Sequence, residues 1–479
     1  MSTQKKKTVN AINDKNGDVF NAEKFADKLA GQRLYSPARK QWLYYDAGLR
    51  WRWDELRNIT QEAIRVTQDL VQDAGLALVK AGQIIDKEAR DTAIKKAEAL
   101  LKHARASQNK GRLDAMVSLA ATDPRMSVST GELDGDDALL GVQNGVIELA
   151  GGQFRAGAAG DKITKCAGAE WVGSVDDPQV FYPAWQKFLV EILPDEETRA
   201  WLQKFVGYCL SGETGEQVFL VLHGHGANGK SVFIDTARML LGSYATTARF
   251  ETFCDQKGAN GAIRNDLAAL DKIRLVIANE GADGARLDEG VVKAITGGDE
   301  IRARFLYGEE FSYTPRFKLV LVSNHKPVIR GTDHGIWRRI VLVPFGVTIP
   351  AEQRDKGLQD KLRAEMPGIL AWAVEGYRMW REQGLSKLPA EIQRANTAYR
   401  TDSDTLGRWL EECVEIDPAA FTPNTEVRQS YKAWCAEYGF GEMNDTNLGN
   451  KLREKGFDNG PRQRGQRGWT GFRIASKGY

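Results

Sequence analysis

Cysteine and histidine are scarce in this sequence, with five of each among 479 residues. No two cysteines form a CxxC pair and the histidines lack the spacing of metal ligands, so a structural zinc site is not expected. A few scattered thiols are typical of a reducing compartment, where disulfide frameworks are rare. The cysteines are Cys166, Cys209, Cys254, Cys413 and Cys435.

Long apolar runs are also missing. The sequence contains no stretch of about 18 apolar residues, so we expect no membrane-spanning helix. The N-terminal lysines are followed by polar residues instead of an apolar segment, and we therefore do not expect a secretory signal. These absences predict a soluble, cytoplasmic protein without a membrane partner.

An excess of one charge is absent as well. The chain has 66 Lys and Arg residues against 64 Asp and Glu residues, which gives a formal net charge of +2. Composition alone therefore does not indicate a nucleic-acid-binding protein, and any basic surface must be local. Apolar residues at 42% and charged residues at 27% are ordinary for globular domains.

The apolar pattern changes along the chain. Residues 55–120 have the Ala, Lys, Glu and Leu content of long helices, and residues 183–211 have helical spacing with Trp185 and Phe188 as packing residues. Residues 217–345 alternate apolar strands with helices, which predicts an α/β fold of the nucleotide-binding type. Residues 405–479 form a small unit with a basic end.

An aromatic cluster at residues 35–54 predicts a short hairpin with a turn at Asp46–Gly48. Nearby arginines and a lysine would allow the rings to stack on nucleic-acid bases. We favour the alternative, in which the rings form a small aromatic core. The aromatic residues are Trp42, Tyr44, Tyr45, Trp51 and Trp53.

The strongest motif is G-x-x-x-x-G-K-[ST], which lies between an apolar strand from Gln217 to His223 and an amphipathic helix ended by Gly242. Glycines let the backbone N–H groups converge on phosphate, and the helix N-terminus adds partial positive charge. Lys230 is predicted to reach the β- and γ-phosphates and the Ser231 hydroxyl to bind Mg²⁺. The predicted nucleotide-binding residues are Gly224, His225, Gly226, Ala227, Asn228, Gly229, Lys230, Ser231 and Val232.

Polar residues follow two later apolar strands. Glu280 ends the strand that begins near Lys272, and it is predicted to polarise the attacking water and to help hold Mg²⁺. Asn324 ends the next strand and is predicted to hydrogen-bond the γ-phosphate or the water; the alternative is a strand-end cap. Arg338 and Arg339 precede a further strand, either as surface charges or as groups presented to a neighbouring subunit's ATP.

These motifs together resemble the superfamily 3 helicases, and within them the C-terminal half of phage, plasmid and poxvirus primase-helicases. The resemblance rests on GANGKS, RLVIANE and the stretch from Ala294 to Phe345, and it extends over about residues 30–400. It implies a ring-forming, usually hexameric DNA helicase that unwinds 3′→5′ with ATP and Mg²⁺. It also implies that Asn324 is the sensor amide and Arg339, with Arg338 as the less favoured candidate, is the trans-acting finger.

The sequence pattern and the resemblance together predict an order of domains. A flexible N-terminus at residues 1–18 precedes a mainly helical domain with the aromatic hairpin at 19–195. An AAA+-type P-loop ATPase core, a parallel sheet flanked by helices, follows at 196–385, and a winged-helix-like basic DNA-binding domain at 386–479. In the core, a DNA-contacting hairpin is expected at residues 296–311.

Three departures from the family pattern affect these expectations. Asn279 stands where many relatives have a second acid, so Mg²⁺ coordination relies on Ser231 and Glu280. The expected hairpin tip, residues 307–310, has no basic residue, and DNA contact then relies on Arg302, Arg304 or backbone N–H groups, with Lys326 as a further candidate. No primase site is recognised, so we predict a helicase without primer synthesis that works with a separate primase or replication protein.

The C-terminal unit has the pattern of two helices followed by a β-like wing. The second helix, Asn444–Lys455, is predicted to be a recognition helix capped by Thr446 or Asp445. From Lys451 onward there are eight basic and two acidic residues, a local charge of +6. A solvated charged face is the alternative to DNA binding. The predicted DNA-binding residues are Lys451, Arg462, Arg464 and Arg467.

Two functions of different classes remain. The first is a replicative helicase of a phage, plasmid or mobile element that acts on single-stranded and forked DNA. The second is an origin-binding initiator that uses ATP as an assembly switch and does not unwind. A small-molecule kinase fits poorly, because the segment at residues 296–313 offers no acceptor pocket.

Overall fold

The computed structural model describes residues 17–254, 265–279, 286–304, 310–329, 331, 334–463 and 465–475. Over that part of the chain, no helix has both the length and the apolar character needed to span a bilayer. The flexible segment predicted at residues 1–18 lies almost entirely outside the described residues.

Residues 17–155 form four helices and two antiparallel sheets of three strands each. Helix α1 packs on α4 and α2, and the two long helices α2 and α3 form a hairpin. The elements are α1 (Asp18–Leu29), β1 (Arg33–Ser36), β2 (Gln41–Asp46), β3 (Arg50–Trp53), α2 (Ile59–Gly82), α3 (Lys87–Ala106), α4 (Lys110–Ala120), β4 (Leu139–Val142), β5 (Gly145–Glu148) and β6 (Gln153–Arg155).

The aromatic cluster is part of the first of these sheets. The predicted turn is confirmed between β2 and β3, where Asp46 pairs with Arg50, and β1 adds a third strand that the sequence did not predict. Trp42 and Trp51 are only 7% and 1% exposed. Trp42 packs with Phe25 in the core of the helices, and Trp51 packs with Leu43 in a separate small core. The two buried rings are therefore packing residues and cannot stack on bases without unfolding the sheet.

Two helices precede the P-loop region in sequence, α5 (Pro183–Ile192) and α6 (Glu196–Leu210). Helix α12 (Met366–Gln383), which follows the P-loop region, packs across α6. The crossing of α6 and α12 depends on two glycines. A Cβ on Gly207 would lie 2.0 Å from the Tyr377 nitrogen, and one on Gly376 would lie 2.2 Å from the Gln203 oxygen. Only glycine allows the two backbones to approach this closely.

The P-loop region contains a five-stranded parallel sheet flanked by helices, which confirms the predicted α/β class. The strand order is β13-β7-β12-β9-β8, with the phosphate-loop strand β7 second from one edge. The elements are β7 (Phe219–His223), α7 (Lys230–Leu241), β8 (Ala245–Arg249), α8 (Asn265–Ala268), β9 (Leu275–Asn279), α9 (Glu289–Gly297), β10 (Ile301–Arg304), β11 (Glu310–Tyr313), β12 (Lys318–Ser323), α10 (His334–Trp337), β13 (Ile340–Pro344) and α11 (Leu358–Ala364).

Three basic residues near the amino-terminal ends of the sheet strands donate hydrogen bonds to backbone carbonyls of earlier segments of the chain. The guanidinium of Arg274, 4% exposed, donates to the Leu139 carbonyl at 2.8 Å, and the Lys318 ammonium, 2% exposed, donates to the Ser211 carbonyl at 2.6 Å. Arg316 donates to the Gly135 carbonyl at 2.9 Å. Backbone carbonyls therefore satisfy charges that would otherwise be costly to bury.

Helix α13 (Ala390–Ser403) covers the edge strand β13. The Asn396 amide accepts from the Leu342 N–H at 2.9 Å and donates to the Leu342 carbonyl at 3.0 Å. This amide replaces the missing strand partner, so the edge does not remain open for pairing with another chain.

The C-terminal region has helices α14 (Thr405–Cys413), α15 (Asn424–Glu437) and α16 (Asp445–Glu454) and the antiparallel strands β14 (Val414–Pro423), β15 (Asp458–Gln463) and β16 (Gln466–Ile474). This order is that of a winged helix, as predicted, with α16 in the recognition position. The predicted cap of α16 was wrong: Asn444, not Thr446 or Asp445, accepts from the Asn447 N–H at 2.9 Å. Asp445 lies one residue further on, inside the helix.

Candidate functional site

The phosphate loop connects β7 to α7 through a strained turn. Ala227 and Gly229 both have positive φ angles, of 62° and 82°, and the first is unusual for a residue with a side chain. A Cβ on Gly224 would lie 2.3 Å from the Phe345 oxygen. The glycine spacing read from the sequence is therefore required by the backbone, and strain of this kind is concentrated at functional sites.

Asn228 holds the loop in this shape. Its side chain is 3% exposed, and its Nδ2 donates to the His225 carbonyl at 2.6 Å and to the Phe345 carbonyl at 3.2 Å. The second bond ties the loop to the residue that follows β13. The sequence placed Asn228 in the loop but gave no signal for this contact.

Lys230 lies at the first position of α7 and is 5% exposed. Its Nζ donates to the Gly224 carbonyl, to Asn228 Oδ1 at 3.3 Å and to Asn324 Oδ1 at 3.2 Å. Asn324 follows the end of β12, so the structure brings this predicted pair of site residues together. An ammonium group surrounded by oxygen acceptors at a loop of this shape is suited to exchanging them for phosphate oxygens.

The residues of the loop fit a nucleoside triphosphate with Mg²⁺. The first-turn N–H groups of α7 have no partner within the helix and face the loop, which favours an anion. Ser231 is exposed on that turn, where its hydroxyl is accessible to a cation. No group of three or more His, Cys, Asp or Glu residues that could hold a metal occurs in the described ranges. Mg²⁺ does not need one, because phosphate oxygens and water supply most of its ligands.

The predicted acid, Glu280, directly follows a buried strand of the sheet. Strand β9 ends at Asn279, which pairs with Val322 of β12, and Glu280 lies outside the described residues. Asn279 is exposed at the strand end. The role of Glu280 therefore stays a prediction.

Arg338 and Arg339 lie where the strands of the sheet begin, whereas the phosphate loop lies where they end. The Arg339 carbonyl accepts from the N–H of Phe219 at 2.6 Å, at the start of β7, whereas the loop follows the end of that strand. At about 3.3 Å per residue, the length of β7 separates the two positions by roughly 15 Å. Because of this distance, neither arginine can serve the loop of its own chain.

The two arginines also differ in their contacts. Arg339 is half-buried, and its Nε donates to Thr296 Oγ1 at 3.1 Å and its Nη1 to the Gly335 carbonyl at 2.6 Å. Arg338 is exposed and donates to Gln217 Oε1 at 2.6 Å. The structure holds Arg339 more firmly, which is what a positioned group requires.

A cleft of about 790 Å³ lies directly beside the phosphate loop. Phe188 and Val190 of α5 form one wall, Ile349 and Leu358 another, and Ala227 the loop side. The Ile349 N–H donates to the Ala227 carbonyl at 2.8 Å, which fixes this wall to the loop. The sequence identified Phe188 only as a packing residue, because a cleft formed by distant segments leaves no local pattern.

In place of the hairpin expected at residues 296–311, the antiparallel pair β10 and β11 extends from Ile301 to Tyr313, whereas Thr296 and Gly297 end α9. Its contact with DNA stays a prediction. Arg302 and Arg304 are both exposed and share one face, since Ile301 and Ala303 point into the core. Residues 305–309, most of the expected tip, lie outside the described residues. Lys326 lies on another segment and forms an ion pair with Asp402 at 3.0 Å.

A groove of about 650 Å³ runs between α16 and the β15–β16 wing. Arg462 and Arg467, two predicted DNA-binding residues, line it and are exposed. Arg428 and Arg453 line it as well, although the sequence did not single them out. Arg464 lies outside the described residues. The lining has four guanidinium groups and one carboxylate, Asp445, which is already paired with Arg428.

Lys451 does not lie in this groove. It is half-buried, and burial lowers the pKa of its ammonium group, while the nearby Asp404 acts in the other direction. Asp404 also forms an ion pair with Lys455, one turn further along α16. This side of the helix therefore faces α13 and α14, away from the wing.

Two family descriptions match the chain. Residues 22–194 match the D5 N terminal like family, and residues 222–339 match a family of unknown function, DUF5906. The second match contains the phosphate loop, Asn324 and both arginines, and the first ends inside the helical pair α5 and α6.

Curated relatives come from large DNA viruses. A protein of Acanthamoeba polyphaga mimivirus named as a candidate helicase is 29% identical over 303 residues, covering 60% of this chain and 31% of its own length. A candidate helicase of Frog virus 3 is 27% identical over 267 residues, 52% of this chain and 27% of the relative. A candidate primase of African swine fever virus is 23% identical over 273 residues, 52% and 28% respectively.

The chain thus spans about a third or less of the length of these relatives. Among solved structures, the apo C-terminal region of NrS-1 aligns with a TM-score of 0.41 at 10% identity, covering 63% of this chain and 78% of that one. The family matches and the viral relatives agree with the resemblance read from the motifs. The match of residues 22–194 to the D5 N terminal like family, the match of residues 222–339 to DUF5906 and the viral relatives are together consistent with a protein of the superfamily 3 primase-helicase type.

Proposed function

We propose that this chain is an ATP-driven DNA motor, a ring-forming replicative helicase of a phage, plasmid or mobile element that unwinds 3′→5′. One observation carries the proposal. Lys230 and Asn324 meet at the carboxyl-terminal ends of the parallel strands, while Arg339 lies at their amino-terminal ends. A nucleotide bound at one loop would then need an arginine from a second copy. The names of the viral relatives support a role in replication, and the polarity and the hexamer rest on the family resemblance.

Each residue has a defined task in the proposed reaction. Lys230 and the first-turn N–H groups of α7 would hold the β- and γ-phosphates. Ser231 and Glu280 would hold Mg²⁺, which would supply charge neutralisation at the phosphates. Glu280 accepts the proton of the attacking water, and Asn324 orients that water or the γ-phosphate. Arg339 of the neighbouring copy stabilises the charge that develops during transfer.

DNA contacts are proposed on two surfaces. Arg302 and Arg304 on the β10–β11 hairpin contact the strand in the ring channel, and the groove beside α16 contacts duplex or forked DNA through its arginines. A separate primase or replication protein is a further proposed partner, which would supply the primers.

A forked-duplex unwinding assay tests the proposal. We expect strand displacement that needs hydrolysable ATP and Mg²⁺ and that is lost in Lys230→Ala. ATP-dependent DNA binding without displacement would instead support an initiator that uses ATP as an assembly switch. The observation that favours this second candidate is the basic groove of the C-terminal region, because its lining residues are separate from the phosphate loop.

A further inference from the structure

One buried side chain of α13 lies between two turns. The sensor turn, residues 324–327, follows β12 and carries Asn324, and the arginine turn, residues 335–339, precedes β13 and carries Arg338 and Arg339. Tyr399 is 2% exposed, and its hydroxyl donates to the Pro327 carbonyl. Its ring meets the Trp337 ring edge-to-face, with 5.2 Å between centroids and an angle of 80°. Pro327 follows Asn324 by three residues, and Trp337 precedes Arg339 by two.

The sensor turn is held by α13 at two points. Besides the bond from Tyr399 to Pro327, the carboxylate of Asp402 accepts from Lys326 at 3.0 Å. Tyr399 and Asp402 are three residues apart and therefore share one face of the helix. Asn324, at the start of the same turn, contacts Lys230 of the phosphate loop. A shift of Asn324 is thus transmitted to α13 through short, packed contacts.

The arginine turn is rigid around Trp337. The indole Nε1 donates to the Gly331 carbonyl at 2.8 Å, and the Arg339 Nη1 donates to the Gly335 carbonyl at 2.6 Å. A displacement of the Trp337 ring by Tyr399 would therefore move the arginine with it, because closely packed groups transmit strain instead of absorbing it.

We propose that Tyr399 is a positioning residue that makes the presentation of Arg339 to a neighbouring copy depend on the sensor turn of its own subunit. The inference rests on the proposed function and deepens it, since it links two sites of the ring through one side chain. When a triphosphate draws Lys230 away from Asn324, the sensor turn shifts, Tyr399 follows Pro327, and Trp337 carries Arg339 toward the next subunit.

A mixed-subunit assay separates this role from a merely structural one. One subunit, the acceptor, carries Arg339→Ala and keeps its own loop intact. The other, the donor, carries Glu280→Gln and supplies Arg339 without hydrolysing ATP itself. Hydrolysis by the mixture then reports only arginines that pass from donor to acceptor.

We expect Tyr399→Phe in the donor to lower kcat of the mixture by about fivefold to tenfold, the effect of one lost hydrogen bond, with KM for ATP unchanged. The same change in the acceptor should have no effect. Asn324→Ala in the donor should reproduce the fall, because the donor site is inactive and Asn324 can act there only through Arg339. Tyr377→Phe in the donor is the matched control, since Tyr377 is also 2% exposed and its hydroxyl contacts Glu213, far from both turns.

Equal losses from Tyr399→Phe in donor and acceptor would indicate a structural role and overturn the inference. No loss in the donor, or a loss from Tyr399→Phe that Asn324→Ala does not reproduce, would overturn it as well. A mixture without any Tyr399 change that fails to hydrolyse ATP would reject the trans-acting arginine itself, and this inference with it.

Discussion

The ammonium of Lys230 lies 3.2 Å from Oδ1 of Asn324, so the phosphate loop and the end of a neighbouring strand are in direct contact. Lys230 comes from the first turn of α7, and Asn324 from the residue after β12. Two residues 94 positions apart meet here because β7 and β12 are adjacent parallel strands, whose carboxyl-terminal ends lie side by side.

Asn324→Ala should lower kcat for ATP hydrolysis by about tenfold to a hundredfold and leave the affinity for ATP nearly unchanged, if the amide acts mainly on the transition state. Steady-state kinetics together with equilibrium binding of the nucleotide separate the two effects. A large loss of affinity with normal kcat would show that Asn324 only holds the ground state.

Arg339→Ala should keep ATP binding but lower turnover by about 10³–10⁵, the contribution of an arginine finger. Arg338→Ala, the control on the adjacent residue, should cost much less, because Arg338 is exposed and its side chain donates to Gln217 instead of to the turn that holds Arg339. ATP hydrolysis by both variants at saturating nucleotide is the measurement. Normal turnover in Arg339→Ala would reject the assignment.

DNA binding by the C-terminal groove should depend on its arginines and not on Lys451. Arg453→Ala and Arg462→Ala should each weaken duplex binding and reduce the slope of log K against log salt by about one, as expected for a lost phosphate contact. Lys451→Ala is the matched control and should change neither, because that side chain faces Asp404. Fluorescence anisotropy over a salt series measures both quantities. An effect of Lys451→Ala as large as that of Arg453→Ala would contradict the placement of the groove.

The buried ammonium of Lys318 should make stability depend on alkaline pH. Burial lowers the pKa of Lys318 to about 8 from its ordinary value of 10.5. Between these two values the folded protein has released a proton that the unfolded chain still binds, so the free energy of unfolding rises with pH across this window, by up to about 3 kcal/mol. Below pH 8 the contribution is constant, since both states are protonated.

Comparison with Lys318→Met isolates this effect from the other groups that titrate at alkaline pH. The free energy of unfolding of both proteins is measured by denaturant titration at pH 7.5 and at about pH 10. The value for the wild type, relative to that for Lys318→Met, should be higher at about pH 10 than at pH 7.5. Parallel pH profiles would mean that the carbonyls of Ser211 and Glu213 stabilise the charged form fully and that the pKa is not lowered.

Much of the fold and the centre of the site follow from local sequence patterns. The loop around Gly229 is recognisable because positive φ and a close approach to Phe345 demand glycines at fixed spacing. Asn324 and Glu280 were identified because polar residues that end buried strands stand out. The structure adds the contact of Asn324 with Lys230, and Glu280 lies outside the described residues.

Other features depend on contacts that no local pattern encodes. Lys451 and Arg453 are both basic residues of α16, and only the packing of that helix shows that the first faces Asp404 and the second faces the wing. The bond from Tyr399 to Pro327 joins residues 72 positions apart. The cap of α16 was missed for a different reason: several adjacent polar residues can cap, and the exact start of the helix decides among them.

Equilibrium binding of ATP, with and without Mg²⁺, to the wild type and to Lys230→Ala shows whether the loop between β7 and α7 binds a nucleoside triphosphate. We expect magnesium-dependent binding by the wild type at micromolar to millimolar ATP and a loss of that binding in Lys230→Ala, with both proteins equally folded by circular dichroism. A folded wild type that does not bind ATP at millimolar concentration, or a Lys230→Ala variant that binds it equally well, would contradict the account.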